Sequence, residues 1–266
     1  MAFSALKPLV ERLPRLAAFY RTVRDALDFA DEPMRTPWGF RLAGNPQMAR
    51  GSFEPTETEL LRKLLPGVDV FVNVGANVGY YCCHALSLGK RVIAFEPIER
   101  NVRYLCKNLR ANGWSAEVYP VALSSAVAVR EIYGGTTGAS LVRGWSDIPE
   151  GYATLVPCST MDIVLGGRLD GKKALILVDI EGSEPWLLEG AGAVLANRPK
   201  PVWVVEIVAS SPHLRRTFDF FFQAGYQAFT FDRELSPVSA EDVGRAATGE
   251  RQFPTHNFLF GDARPL

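Results

Sequence analysis

The run Val70-Phe71-Val72-Asn73-Val74-Gly75-Ala76-Asn77-Val78-Gly79 sets the reading of the whole chain. Its first five residues are apolar except for Asn73, the composition of a strand covered on both faces. Gly75 and Gly79 then turn the chain into an apolar, helix-spaced stretch from about Val78 to Leu88. Without a Cβ, glycine lets the backbone approach a ligand closely, and a helix start offers unpaired N–H groups, so such a turn is a cofactor-binding candidate. A dinucleotide fingerprint needs Gly-x-Gly-x-x-Gly; the turn here has Gly-x-x-x-Gly with Asn77 between, which disfavours a nicotinamide cofactor.

Downstream, a strand over Arg91–Phe95 runs into Glu96-Pro97. A carboxylate about 20 residues past a glycine turn is placed to accept the hydroxyl protons of a ribose. Helical spacing follows over Glu99–Asn112, then a strand near Glu117–Val121. Ser124–Thr160 breaks the rhythm, with strand-like Val127–Tyr133 and Tyr152–Cys158 pointing to an antiparallel excursion. Alternation resumes with strand Ala174–Asp179, helix Glu184–Ala196, strand Val202–Ile207 and helix His213–Ala224. Two last strands, Gln227–Phe231 and Asn257–Phe260, flank a long polar segment expected to be a mobile loop. Upstream, Glu57–Leu65 reads as a helix and Met34–Arg50 as a hairpin-like lead-in. The segment to about Asp31 carries a helical stripe through Leu6, Leu9, Leu13, Leu16, Tyr20, Val23 and Leu27, kinked or delayed by Pro8 and Pro14. Its expected role is packing on its own domain or on a second copy of the chain; its basic residues raise a peripheral membrane role as the alternative.

Composition narrows the function. The 266 residues are 47% hydrophobic and 22% charged, an ordinary globular balance. Lys plus Arg number 29 against 29 Asp plus Glu, so no global field gathers nucleic acid, and none is expected as a partner. Cys82, Cys83, Cys106 and Cys158 lack metal or redox spacing and read as small hydrophobes suited to a reducing, cytoplasmic setting. No window reaches the roughly 20 apolar residues of a membrane span.

Taken in order, Val74-Gly75-Ala76-Asn77-x-Gly79, Phe95-Glu96-Pro97, Asn108, Asn112, Ala122-Leu123-Ser124 and Asp179-x-Glu181-Gly182-x-Glu184 resemble the FkbM-type family of S-adenosylmethionine-dependent methyltransferases over roughly residues 53–260. Asn73 stands where that pattern has Asp. The resemblance implies a doubly wound, Rossmann-like, mostly parallel seven-stranded α/β sheet over residues 53–266, preceded by a helical extension and lead-in over 1–52. It implies S-adenosylmethionine as cofactor, with Asn73, Gly75, Ala76, Asn77, Gly79 and Tyr80 around the methionine and sugar. Glu96 and Pro97 would lie at the ribose, Ala122 and Leu123 at the adenine, and Asp179 at the cleft. The implied reaction is O-methylation of a hydroxyl on a sugar, glycolipid or polyketide-like product.

Methyl transfer to an alcohol needs in-line approach and removal of a proton, work for Asp179 as first choice, with Glu181, Glu206 and His213 as further candidates. Alternatively Asp179 and Glu206 hold a divalent cation such as Mg²⁺ that lowers the hydroxyl pKa. Two other functions remain open at this level: a non-catalytic cofactor-binding module, motivated by Asn73, and an NAD-dependent oxidoreductase.

Overall fold

The computed structural model describes residues 31–134, 138–145 and 153–263; the N-terminal stripe lies outside them. The chain opens with a small hairpin, β1 (Met34–Arg35) and β2 (Arg41–Leu42), then short helix α1 (Pro46–Arg50) and helix α2 (Pro55–Leu64). The lead-in is therefore a hairpin plus a helix, with Asn45 Oδ1 accepting from the N–H groups of Gln47 and Met48 at the α1 start. Phe40, Leu42, Met48 and Ala49 share one apolar cluster with Val78, Tyr80, Cys83 and Tyr104.

Next come β3 (Val70–Val74), α3 (Tyr80–Ser87), β4 (Arg91–Phe95), α4 (Glu99–Ala111) and β5 (Glu117–Tyr119). The excursion is β6 (Ala122–Leu123), β7 (Ala128–Tyr133) and β8 (Ala153–Ser159), with β7 antiparallel to β8 as the alternation of residues predicts. After α5 (Met161–Leu165) the α/β order resumes: β9 (Ala174–Val178), α6 (Glu184–Glu189), α7 (Gly192–Leu195), β10 (Val202–Glu206), α8 (Leu214–Gln223) and β11 (Gln227–Thr230). The helix expected over Glu184–Ala196 is thus two helices, broken at Gly190–Ala191. The segment expected as a mobile loop instead carries β12 (Pro237–Val238) and α9 (Ala240–Ala247), before β13 (Asn257–Gly261). A capping box between Ser239 and Asp242 starts α9, a local signal present in the sequence but outweighed there by its polar composition.

The main sheet has the order β5-β4-β3-β9-β10-β13-β11-β12. It has eight strands rather than seven, because β12 adds an antiparallel edge to β11. Strands β5, β4, β3, β9 and β10 are mutually parallel, and β13 inserts antiparallel between β10 and β11. All five residues of β3 and of β9 are buried, as parallel strands covered on both faces require. One face packs Val70, Val72, Ile176, Trp203 and Phe218; the other packs Phe71, Ala94, Leu175, Val204 and Leu105. Connections leave β3 toward β4 and β9 toward β10, so the order reverses between β3 and β9. Ligands bind in α/β sheets at such a switch point, outside the carboxyl ends of the strands.

Candidate functional site

At that switch point lies a cavity of about 350 Å³, within the range of small-molecule sites. Each parallel strand delivers a residue to it where its apolar run ends. From the loop after β3 come Gly75, Ala76 and Asn77; after β4, Glu96 and Pro97; after β5, Ala122 and Leu123; after β9, Asp179 and Glu181; and from the last residue of β10, Glu206. Tyr80, at the start of α3, also lines it.

Gly75 is held by close approach. Its φ is +83°, and a Cβ there would sit 1.9 Å from the carbonyl oxygen of Asp179. Its N–H and that of Ala76 both donate to the Phe95 carbonyl at 2.9 Å, which ties the loop to the end of β4. The next loop residue locks onto Glu96: the Asn77 N–H donates to Glu96 Oε2 at 2.7 Å. Glu96 Oε1 accepts from the Ile98 N–H at 2.9 Å and from Asn101 Nδ2 at 3.3 Å. Three of a carboxylate's roughly four acceptor positions are filled, which leaves one, on Oε2, for a ligand. Burial pushes the Glu96 carboxyl up to about 7 despite these donors, with the nearby Asp179 adding to the shift.

The acidic end is built from β9 and β10. Asp179, Glu181 and Glu206 each place a carboxylate oxygen within 4.8 Å of the others, a spacing that three ligands to one cation would have. Asp179 is held well above the usual carboxylate range by burial and by Glu206, to which it hydrogen-bonds. Glu206 is raised by burial as well, while the bond from Asp179 offsets part of that. Glu181 sits in the left-handed region at φ +53°. Ser140 Oγ donates to its carbonyl at 2.6 Å, and Trp145 Nε1 donates to its Oε2 at 2.8 Å. Glu184 caps the turn rather than the cavity: its Oε1 accepts from the Gly182 N–H at 3.1 Å.

Three residues singled out in the sequence lie elsewhere. Asn73 is buried under the loop and does not line the cavity; its Nδ2 donates to Cys82 Sγ at 3.5 Å, and its Oδ1 has no partner. An inward-facing strand residue can point to either face of the sheet, and Asn73 shares the face of Phe71 and α3. Gly79 serves helix packing, since a Cβ would come within 3.0 Å of Leu105 on α4. His213 sits outside the cavity, edge-on to Trp186 with ring centroids 5.0 Å apart. Tyr80, by contrast, lines the cavity from a fixed seat: its ring packs among Trp38, Phe53, Tyr81 and His84, and its hydroxyl lies 3.2 Å from Thr58 Oγ1.

The sequence reading missed Glu54 and the 138–145 segment. Glu54 lines the cavity from just before α2, where its Oε2 accepts the Tyr81 hydroxyl at 2.6 Å. Gly138, Ala139 and Leu141 also line the cavity. The signal for Glu54 was slight: Glu54-Pro55 before a helix reads as a helix start and nothing more.

No curated protein matches the chain. Among solved structures, a precorrin-6y methyltransferase from Geobacter metallireducens is 14% identical, with 77% of this chain and 87% of that chain covered at a TM-score of 0.38. An O-methyltransferase from Bacillus cereus in complex with SAH is 12% identical, with 80% and 83% covered at a TM-score of 0.42. A 16S rRNA methyltransferase from T. thermophilus is 14% identical, with 88% of this chain but 50% of that chain covered at a TM-score of 0.45. No helix among the described residues is long and apolar enough to cross a membrane. The methyltransferase FkbM domain matches residues 73–228, more than half of the sequence, and the chain belongs to the FkbM methyltransferase family.

Proposed function

We propose that this methyltransferase binds S-adenosylmethionine in the switch-point cavity and methylates a hydroxyl of a sugar, glycolipid or polyketide-like small molecule. The observation that carries the reading is the arrangement of Gly75, Asn77 and Glu96: a glycine that admits close approach beside a buried carboxylate with one acceptor position left. These residues fit a ribose-bearing cofactor. The apolar wall of Ile98, Ala122 and Leu123 suits a purine, and the acidic end formed by Asp179, Glu181 and Glu206 is left to the acceptor. When bound, the cofactor supplies a methyl group on a sulfonium, a cationic leaving group.

Burial raises both Asp179 and Glu206, and the bond between them raises Asp179 further while lowering Glu206, so Glu206 replaces Asp179 as the first choice of base. Gly75, Asn77 and Glu96 would hold the cofactor as it gives up that methyl group to the acceptor oxygen and leaves as the neutral thioether. The hydroxyl proton passes to Glu206. A second reading rests on the 4.8 Å grouping of Asp179, Glu181 and Glu206: a divalent cation held there would lower the hydroxyl pKa directly.

Calorimetry with S-adenosylmethionine and with NADH tests the cofactor; binding of NADH alone would overturn the assignment. A screen of sugar, lipid and polyketide hydroxyls with labelled methyl donor tests the reaction, and cofactor binding without transfer to any of them would favour a binding module. With an active acceptor, Glu206→Gln should abolish most turnover while leaving cofactor affinity intact. Activity lost to chelator and restored by magnesium would select the cation reading.

A further inference from the structure

Glu54 enters the site from outside the parallel sheet. It occupies the position before the first turn of α2 with φ +39° and makes no capping bond to that helix. Its carboxylate is turned instead into the cavity wall, fixed by the Tyr81 hydroxyl. The cavity then carries five carboxylates, Glu54, Glu96, Asp179, Glu181 and Glu206, and among the described residues lining it there is no Lys, Arg or His. A smaller adjoining recess repeats the pattern with Glu54, Glu57, Asp179 and Glu206, again without a basic residue among those described. Ser183, 1% exposed, lines the main cavity with its Oγ lacking any partner. An unpartnered buried hydroxyl is costly until a ligand satisfies it, and burial together with the neighbouring carboxylates raises the Glu54 and Glu96 carboxyls to about 7, a cost that a cationic ligand would relieve. S-adenosylmethionine offsets only part of this charge, since its sulfonium and ammonium are themselves opposed by its own carboxylate.

Resting on the reading of the site as a small-molecule methyltransferase, we propose that Glu54 belongs to the acceptor subsite and that the acceptor carries a protonated amine close to the hydroxyl that is methylated. Glu54 and its carboxylate neighbours hold the ammonium, and Ser183 supplies the neutral hydrogen-bonding position. Acceptors with a phosphate or carboxylate near the reacting oxygen are rejected, because they would add negative charge to a site whose described lining residues include no cation.

The test uses the full chain loaded with S-adenosylhomocysteine and three matched probes: the methyl glycosides of glucosamine, glucose and glucuronic acid, titrated by ligand-observed NMR. The amino glycoside should bind at least about tenfold more tightly than the neutral one, and the uronate should not bind. Glu54→Gln should cut the amine preference by about tenfold while S-adenosylhomocysteine affinity stays within about twofold. Equal binding of all three, tighter binding of the uronate, or no binding of the amine would overturn the proposal, whether or not the variant folds. Magnesium displacing the amino glycoside would assign the carboxylates to a metal and overturn it as well. If S-adenosylhomocysteine does not bind, the cofactor reading fails by itself, and the ranking of the three glycosides on the free protein still decides the charge of the subsite.

Discussion

Trp145 and Glu181 are 36 positions apart in the chain, and the indole Nε1 of one donates to Oε2 of the other at 2.8 Å. The tryptophan ring also covers Gly182 so closely that a Cβ there would lie 2.4 Å from it. Together with the bond from Ser140 to the Glu181 carbonyl, this fixes a glutamate in left-handed backbone at the cavity wall. A non-glycine residue in that conformation persists only where its surroundings hold it.

Trp145→Phe keeps a ring over Gly182 but removes the donor to Glu181. A hydrogen bond to a charged group contributes about 1.5–3 kcal/mol, so methyl transfer should fall by about tenfold or more in kcat/KM. Cofactor affinity measured by calorimetry should stay within about twofold, because the contact lies at the acidic end. An unchanged kcat/KM would confine Trp145 to packing.

Gly75→Ala places a methyl group against the Asp179 carbonyl at 1.9 Å, and neither backbone can yield without moving a strand end. The expected cost is about 2–4 kcal/mol of stability together with loss of cofactor binding. A melting curve and a cofactor titration that both match the parent protein would show that the loop after β3 adjusts freely.

Stability and cofactor affinity should respond to pH in opposite directions. Glu96 and Glu184, each 4% exposed, are raised from 4.5 to about 7 and about 8. Between 4.5 and those values the folded protein binds more protons than the unfolded chain, so their contribution is fully present below 4.5 and is lost as pH rises through 7 and 8. His84, lowered to about 3 from 6.5 by burial, works the other way, but only below 6.5. From pH 6.5 to 8 the raised carboxylates act alone, Glu54 at about 7 adding to Glu96 and Glu184, and the free protein should lose about 3 kcal/mol, several degrees in Tm. Over the same range cofactor binding should strengthen, since the ionised form of Glu96 is the better acceptor. A Tm that is flat or rising from pH 6.5 to 8 would contradict the buried, raised carboxylates.

Asn73→Asp restores the residue usual in the family but puts a carboxylate where Cys82 Sγ is the neighbour and where the Asn73 Oδ1 already lacks a donor. The free protein should lose about 1–3 kcal/mol. Cofactor affinity should change by less than about twofold, because Asn73 is not part of the cavity wall. Tightened binding would mean that the carboxylate acts on the cofactor through the loop.

The strands of the parallel sheet and the ends at which chemistry gathers were written in the sequence. Val70–Val74, Arg91–Phe95, Ala174–Val178 and Val202–Glu206 are covered by helices or lie deep in the sheet, so each reads as a mostly apolar run that stops at a glycine or an acidic residue. Parallel strands bring those stopping points to one edge, and Gly75, Glu96, Asp179 and Glu206 meet there for that reason. Tertiary structure alone decided the rest. The face of the sheet taken by Asn73, the use of Gly79 for packing on Leu105, the seat of His213 against Trp186, and the arrival of Glu54 and Trp145 at the acidic end all depend on contacts between residues distant along the chain. The eighth strand is the same case: Pro237–Val238 has no strand-like run of its own and pairs only because β11 offers an open edge. Periodicity records what a segment buries on average; which partner it meets is settled by packing, and the sequence carries no local mark of it.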